Sequence, residues 1–425
     1  METGLEPWKN GGVKLLRLNG IWPVLVLLAG TLSLLYLWFS LFPGRVAPET
    51  WQYFSAGQVD LGRQYNKILR LMFIGSFFSQ AAFLLWLVFT GRAAALSRWS
   101  EQAAGGNYTA SLLLFFLVLW LALLVLELPF NFFSSYVWQH QWGFSTQSLA
   151  SWWSDYVRSA GLGLVLAAAG AVILFRVMGR WPGAWWLAGA ALFSAWLVIQ
   201  SYLWPVLVSP LFNRFEPAAD PAVISMVQEL SQKAGLPVDQ VLVMDASRRT
   251  NRANAYFAGL GGTRRIVLYD TLLRDYPPDQ VRAVVAHEMA HWSKGHIVRG
   301  LALGALGSFA LWGLLFLTLR STVPLVCGRY PPGAWAVILL FFLLVSFAGT
   351  PLQNYFSRGM EREADRVAVM LTGDVEGAVR LQEDLAVKNL SDVAPAPFIR
   401  WFSYSHPPAV SRIEQIRQAG GQACR

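Results

Sequence analysis

Residues 110–132 read ASLLLFFLVLWLALLVLELPFNF, with Glu127 as the one charge in the run. An apolar stretch of this length crosses a ~30 Å hydrocarbon core as an α-helix, because any other backbone would leave N–H and C=O groups without partners in lipid. Working outward, similar blocks occur at 21–42, 69–90, 160–177, 185–208, 301–319 and 334–349, which makes seven spans. The first block lacks the small-residue cleavage pattern of a removable signal peptide, so it is expected to stay as a helix. Composition agrees: 55% of the 425 residues are hydrophobic, only 14% are charged, and the mean hydropathy is +0.41. A soluble domain carries roughly 25% charged residues. Disordered, collagen-like and disulfide-scaffold classes are excluded.

The net charge of +9 comes from 34 Lys and Arg against 25 Asp and Glu, with much of the excess in loops beside the spans. That distribution suits anionic lipid headgroups as partners and gives no basic stripe for nucleic acid. Charges near span ends are almost balanced between the two sides, so charge does not set the orientation. An odd span count puts the polar interval 209–300 and the tail after 350 on one side of the membrane, where they can meet. By the same parity Cys327 and Cys424 lie on opposite sides and cannot pair within a chain, and no CxxC motif is present.

Within the polar interval, Val223, Met226, Val227 and Leu230 are spaced as on a helix over 221–234, stopped by Gly235 and Pro237. Residues 238–244 read as a strand. Ala255-Tyr256-Phe257, a glycine turn at 259–262 and Arg265-Ile266-Val267-Leu268-Tyr269 read as a hairpin. Its edge could take up an extended peptide by backbone pairing, or simply be a packed hairpin.

From Asp279 the chain runs DQVRAVVAHEMAHWSKGH and contains His287-Glu288-Met289-Ala290-His291, an H-E-x-x-H motif. On a helix the two imidazoles at i and i+4 share a face and can bind one Zn²⁺ at ~2.0 to 2.1 Å, with Glu288 placed to act as a general base toward water. If the helix continues, His296 lies about 140° around from His291 and too far along to complete the site as a third ligand; it is read as a helix-end or membrane-interface residue. A third ligand is expected from a helix beginning near Ser357. There Glu361 and Asp365 share a face, and Glu363 points away. One of the pair could bind metal while the other orients a ligand histidine through its free N–H. A second Glu-x-x-His, which a di-iron carboxylate centre needs, is missing from the chain. Zinc hydrolysis is the matching chemistry, and its oxyanion calls for a donor or cation. His406, in Ser405-His406-Pro407-Pro408, and Arg412 are candidates, beside the plainer reading of a turn ahead of the helix 409–418.

Taken together these stretches resemble the M48 family of integral-membrane zinc metallopeptidases, and more specifically the Ste24-type CAAX prenyl proteases. Asn254-Ala255-Tyr256-Phe257 with Arg265 to Leu272, the His287 motif, Ser357 to Asp365 and Ser405 to Pro408 match in order. Leu128-Pro129-Phe130, Trp142 to Ser145 and Pro210 to Phe215 match as well. The resemblance implies Glu361 as the third ligand to one Zn²⁺, Asp365 as the partner behind a ligand histidine, and Asn254, with Ala255 and Tyr256, beside the scissile region. It also implies a mainly α fold: seven transmembrane helices forming a barrel around a water-filled chamber, joined to a zincin-like domain with a small sheet. Four segments follow: 1–208 with five spans, 209–300 as the first part of the peptidase domain, 301–349 as a two-span hairpin, and 350–425 as its second part. The substrate implied is a peptide or protein, prenylated or not. The active site would face the cytosol from a bacterial inner membrane or the endoplasmic reticulum. A four-span HtpX-like quality-control protease is the alternative within the same chemistry. A receptor or transporter with a vestigial site is the alternative outside it, and the intact His287, Glu288, His291 and Glu361 argue against that.

Overall fold

The computed structural model of the chain describes residues 20–258 and 264–423. The expected turn at 259–262 and Cys424 lie outside the described residues. Seven helical stretches are long and apolar enough to cross a membrane: Trp22–Leu41, Ala56–Phe89, Tyr108–Gln141, Leu149–Arg180, Trp185–Leu211, His296–Thr322 and Ala334–Thr372. The count read from the sequence holds, and the chain is a multi-pass membrane protein.

The N-terminal half contains α1 (Trp22–Leu41), α2 (Ala56–Phe89), a short α3 (Arg92–Ala103) and α4 (Tyr108–Phe132), which a π-helical turn, Phe133–Val137, carries into α5 (Trp138–Gln141). Next come α6 (Leu149–Arg180) and α7 (Trp185–Leu203). α2 starts thirteen residues before the apolar block at 69, because Ser55 and Gln58 form a capping box that fixes its first turn outside the apolar zone. Lipid gives helices no hydrophobic reason to associate, so close packing has to do it. At Gly189 an added Cβ would lie 2.5 Å from Trp312, so only glycine admits that contact between spans.

The polar interval folds as β1 (Phe215–Pro217), α8 (Pro221–Ala234), β2 (Gln240–Met244), β3 (Ala255–Ala258), β4 (Arg265–Tyr269), α9 (Asp270–Asp275) and α10 (Pro278–Ser293). The sheet order is β1-β2-β4-β3. β3 pairs antiparallel with β4, Ala255 opposite Leu268 and Phe257 opposite Ile266, as the hairpin reading expects. β2 joins β4 in parallel, and β3 is the outer strand. A separate apolar core of Val227, Leu230, Ile266, Leu268, Val285, Met289, Ile413 and others holds this unit together.

The last two spans are α11 (His296–Thr322) and α12 (Ala334–Thr372), followed by α13 (Val375–Lys388), α14 (Pro397–Ser403) and α15 (Ala409–Ala423). The helix expected to begin near Ser357 does not begin there. α12 runs unbroken for 39 residues through Pro351, so the seventh span and the segment bearing Glu361 and Asp365 are one rod. The tail is fastened to the spans by polar contacts: Arg70 of α2 donates to Asp392 at 2.6 Å, and Asn354 of α12 donates to the Phe402 carbonyl at 2.6 Å.

Inside the bundle, contiguous cavities share Glu127 as a wall residue, the two largest measuring about 620 and 610 Å³. Ser76, Gln80 and Asn131 line them too. An ionisable group at membrane depth thus opens onto an internal space, the usual way such a group is tolerated.

Candidate active site

α10 begins with Pro278 at its first position and Asp279 in its first turn, and buries Val281, Val285 and Met289. That leaves His287 and His291, one turn apart, facing α12. Their Nε2 atoms stand 3.1 Å apart. Glu361, only 5% exposed, comes up from α12 to meet them: its Oε2 lies 3.2 Å from His287 Nε2 and its Oε1 3.4 Å from His291 Nε2. The interval and the tail meet, as span parity allows.

One ligand atom from each of these three residues falls within 4.8 Å of the others, the spacing of a metal-binding cluster. Two further observations fit a cation there. Glu361 Oε2 is buried without a hydrogen-bond partner. Burial opposes a charge on His287, yet the adjacent Asp365 and Glu361 carboxylates outweigh it and lift its pKa to about 9, so the site favours positive charge.

Each histidine is held from behind. His287 Nδ1 lies 2.9 Å from Asp365 Oδ1, and Arg412 of α15 grips Asp365 through Nε and Nη2 at 2.8 and 2.5 Å. The two N–H groups spent there leave Arg412 holding a carboxylate at the wall of the pocket. On the other side, His291 Nδ1 meets His296 Nδ1 at 2.9 Å, His296 Nε2 meets Glu363 Oε2 at 3.2 Å, and Glu363 accepts from Arg299 at 2.9 Å. His296 is a helix-end residue, as read, and is not one of the three clustered ligands; what that reading missed is that its ring backs His291. The helix does not continue past Ser293; Gly295, at φ +64°, turns the chain so that His296 opens α11 and its ring returns to His291. Lys294-Gly295 is a helix-stop signal that could have shown this. Glu363 does point away from Glu361, as its spacing implies, and that direction is toward His296.

Glu288 faces a cavity of about 200 Å³ with His287, Asn254, His406 and Arg412 in its wall. Burial pushes its carboxyl up from the ordinary range, against the pull of His287 and His291. His406 Nε2 stands 3.2 Å from Glu361 Oε1, and its side chain is 56% exposed. Asn254 precedes β3, and its side-chain oxygen accepts from the Ala255 N–H at 2.9 Å. Ala255 is buried in β3 and Tyr256 half-buried; Phe257 packs on Trp292 at 5.7 Å, which holds the strand beside α10. Asn254, His287, Glu288, Asp365, His406 and Arg412 line this one pocket, and His291 and Glu361 stand beside His287.

The Peptidase family M48 model matches residues 217–419, and a model of the CAAX prenyl protease N-terminal region, five membrane helices, matches 44–214. An uncharacterized metalloprotease of Bacillus subtilis, YhfN, is 30% identical over 373 residues, 86% of this chain and 87% of that one. The chain belongs to peptidase family M48. It is therefore an enzyme of the zinc metalloprotease class, built on the CAAX prenyl protease plan. CAAX prenyl protease 1 of Saccharomyces cerevisiae is 29% identical over 319 residues, 69% of each chain. The crystal structure of S. mikatae Ste24p shares the fold, with a TM-score of 0.80 at 22% identity over 93% of this chain and 98% of that one.

Proposed function

We propose that this chain is a zinc-dependent endopeptidase that cuts near the C-terminus of CaaX-type or other membrane-associated substrates, with its active site facing the cytosol of a bacterial inner membrane or the endoplasmic reticulum. The observation that carries the reading is the convergence of His287, His291 and Glu361 on one point beside Glu288, in a pocket next to an open strand edge. These three residues would hold the ion, which when bound supplies a Lewis acid that polarises the scissile carbonyl and makes water a nucleophile near neutral pH.

The chain's own groups do the rest. Glu288 takes the proton of the attacking water and passes it to the leaving amine, a task suited to a carboxyl whose pKa burial has raised. His406, over Glu361, donates to the oxyanion as it develops. Asp365 fixes the tautomer and orientation of His287, and Arg412 acts through Asp365. Asn254, Ala255 and Tyr256 hold the substrate backbone along β3. In this assignment 209–300 and 350–425 form one peptidase unit, with the spans in 1–208 and 301–349 around it. The substrate class is supported by the relatives named CAAX prenyl protease and by the five-helix N-terminal match. The same match counts against the four-span quality-control alternative.

The test is hydrolysis of a farnesylated CaaX peptide by purified wild type, paired with Glu288→Gln. Cleavage by wild type alone, with equal zinc in both, is expected. No cleavage by a zinc-loaded wild type overturns the substrate class, and an active Glu288→Gln overturns the role of Glu288.

A further inference from the structure

Arg252 stands where the two internal spaces approach each other. It lines the 620 Å³ membrane chamber with Tyr65, Glu127 and Gln139, while the next residues, Ala253 and Asn254, line the pocket that contains His287 and Glu288. Its guanidinium lies over the rings of Phe144 and Tyr65, at 4.2 and 5.6 Å from their centroids, and Nη2 donates to the Tyr65 hydroxyl. Nε and Nη1 have no hydrogen-bond partner, and no carboxylate pairs with it, among the described residues. Its neighbours differ: Arg248 is paired with Asp245 and Arg249 with Asp155, each at 2.8 Å. A guanidinium keeps its charge at any working pH, and its planar fork matches a carboxylate. Arg252 is thus fixed by aromatic rings, charged, and presented to a polar cavity without a counter-ion.

The sheet gives this charge a place along a bound peptide. β3 is the outer strand, with β4 on its inner side. A peptide that adds to it antiparallel, the slightly more stable mode, runs its C-terminal direction from Ala258 toward Ala255 and past Asn254. With the scissile bond beside Asn254, a step of roughly 3.3 Å per residue brings the second or third residue after the cut to the level of Arg252.

We propose that Arg252 binds the terminal α-carboxylate of the substrate and thereby selects chains that end two or three residues beyond the cut. The inference rests on the peptidase reading above and names a specificity residue for it.

The experiment uses full-length protein and two farnesylated CaaX peptides, identical except that one ends in a free carboxylate and the other in a carboxamide. Wild type is expected to prefer the acid by about 10- to 100-fold in kcat/KM, mainly through KM, as the loss of a charge-assisted hydrogen bond implies. In Arg252→Gln the acid-to-amide ratio falls toward one, and Arg252→Lys keeps part of it. Zinc content and Tm are followed in each variant. If Arg252→Gln fails to fold, the wild-type ratio and the lysine variant still decide. Equal cleavage of both peptides by wild type, or a ratio that survives Arg252→Gln, overturns the carboxylate role and leaves the peptidase standing. Cleavage of neither peptide by zinc-loaded wild type overturns the proposed substrate class, and this inference falls with it.

Discussion

His287 and His291 point their Nε2 atoms at the same spot, but different arrangements stand behind them. Behind His287 is a buried ion pair, Asp365 with Arg412, whose side chains are 4% and 13% exposed. Behind His291 is the ring of His296, backed by Glu363 and by an Arg299 that is 53% exposed. The requirement is the same: an acceptor at Nδ1 that sets the tautomer and leaves Nε2 free for metal. The first support lies inside the peptidase unit, where a charge can be kept only with a partner. The second lies at the first turn of a membrane span, where an imidazole spacer lets the carboxylate stay near solvent. One histidine is held by charge and the other by geometry.

That contrast can be broken experimentally. Asp365→Ala should have the largest effect, because it frees His287 and leaves Arg412 buried without a counter-charge. Zinc affinity should fall by ~10- to 100-fold in chelator competition, and stability by about 3–5 kcal/mol. Unchanged zinc binding would show that His287 needs no anchor. His296→Ala should lower zinc affinity by about tenfold, the low end of the same range. Recovery in His296→Gln, whose amide oxygen can accept from His291, would identify the hydrogen bond as the cause; no recovery would point to packing alone. Arg299→Ala should change zinc affinity less than roughly threefold, and only at low salt, since exposed pairs are worth about 0–1 kcal/mol. A larger loss would mean that charge, too, supports His291.

The smallest effect serves as a remote control. Arg282 donates to Glu229 at 2.7 and 2.8 Å, and these bonds, with Lys233, hold the Glu229 carboxyl down at about 2 against an ordinary 4.5. A folded pKa below the unfolded one gives stability that is whole above the unfolded value and fades as pH falls through the folded one. The Tm difference between wild type and Arg282→Ala should therefore be small near neutral pH and shrink further as pH drops below about 4.5. A difference that grows in acid would reverse this sign. Neither support should respond.

The seven spans were legible because membrane helices announce themselves in runs of apolar residues, without need of tertiary context. His287, Glu288 and His291 were legible because their spacing is local, and Glu361 with Asp365 because span parity put both segments on one side. What stayed hidden depended on chain direction. The helix of the HExxH motif was read as continuing, which turned His296 away; a single left-handed glycine reverses that. The separate helix start read near Ser357 is absent, because Pro351 within the long helix is carried by the packing around it. The polar base of α2 and its Arg70 to Asp392 tie joins residues more than 300 positions apart, and no local pattern encodes such a pair. The charge of Arg252 was visible, but its lack of a counter-ion could be seen only once its neighbours were in place.

The unbroken α12 makes the membrane a mechanical part of the metal centre. At about 1.5 Å per residue, its 39 residues form a mast about 58 Å long. The foot of this mast stands in the bilayer, and Glu361 and Asp365 ride near its head. A span tilts when hydrocarbon thickness changes, and here Glu361 and Asp365 sit on the same continuous helix as the seventh span, with Pro351 between them and the apolar stretch. The carboxylates of the site thus share one axis with a membrane span, with no loop between them.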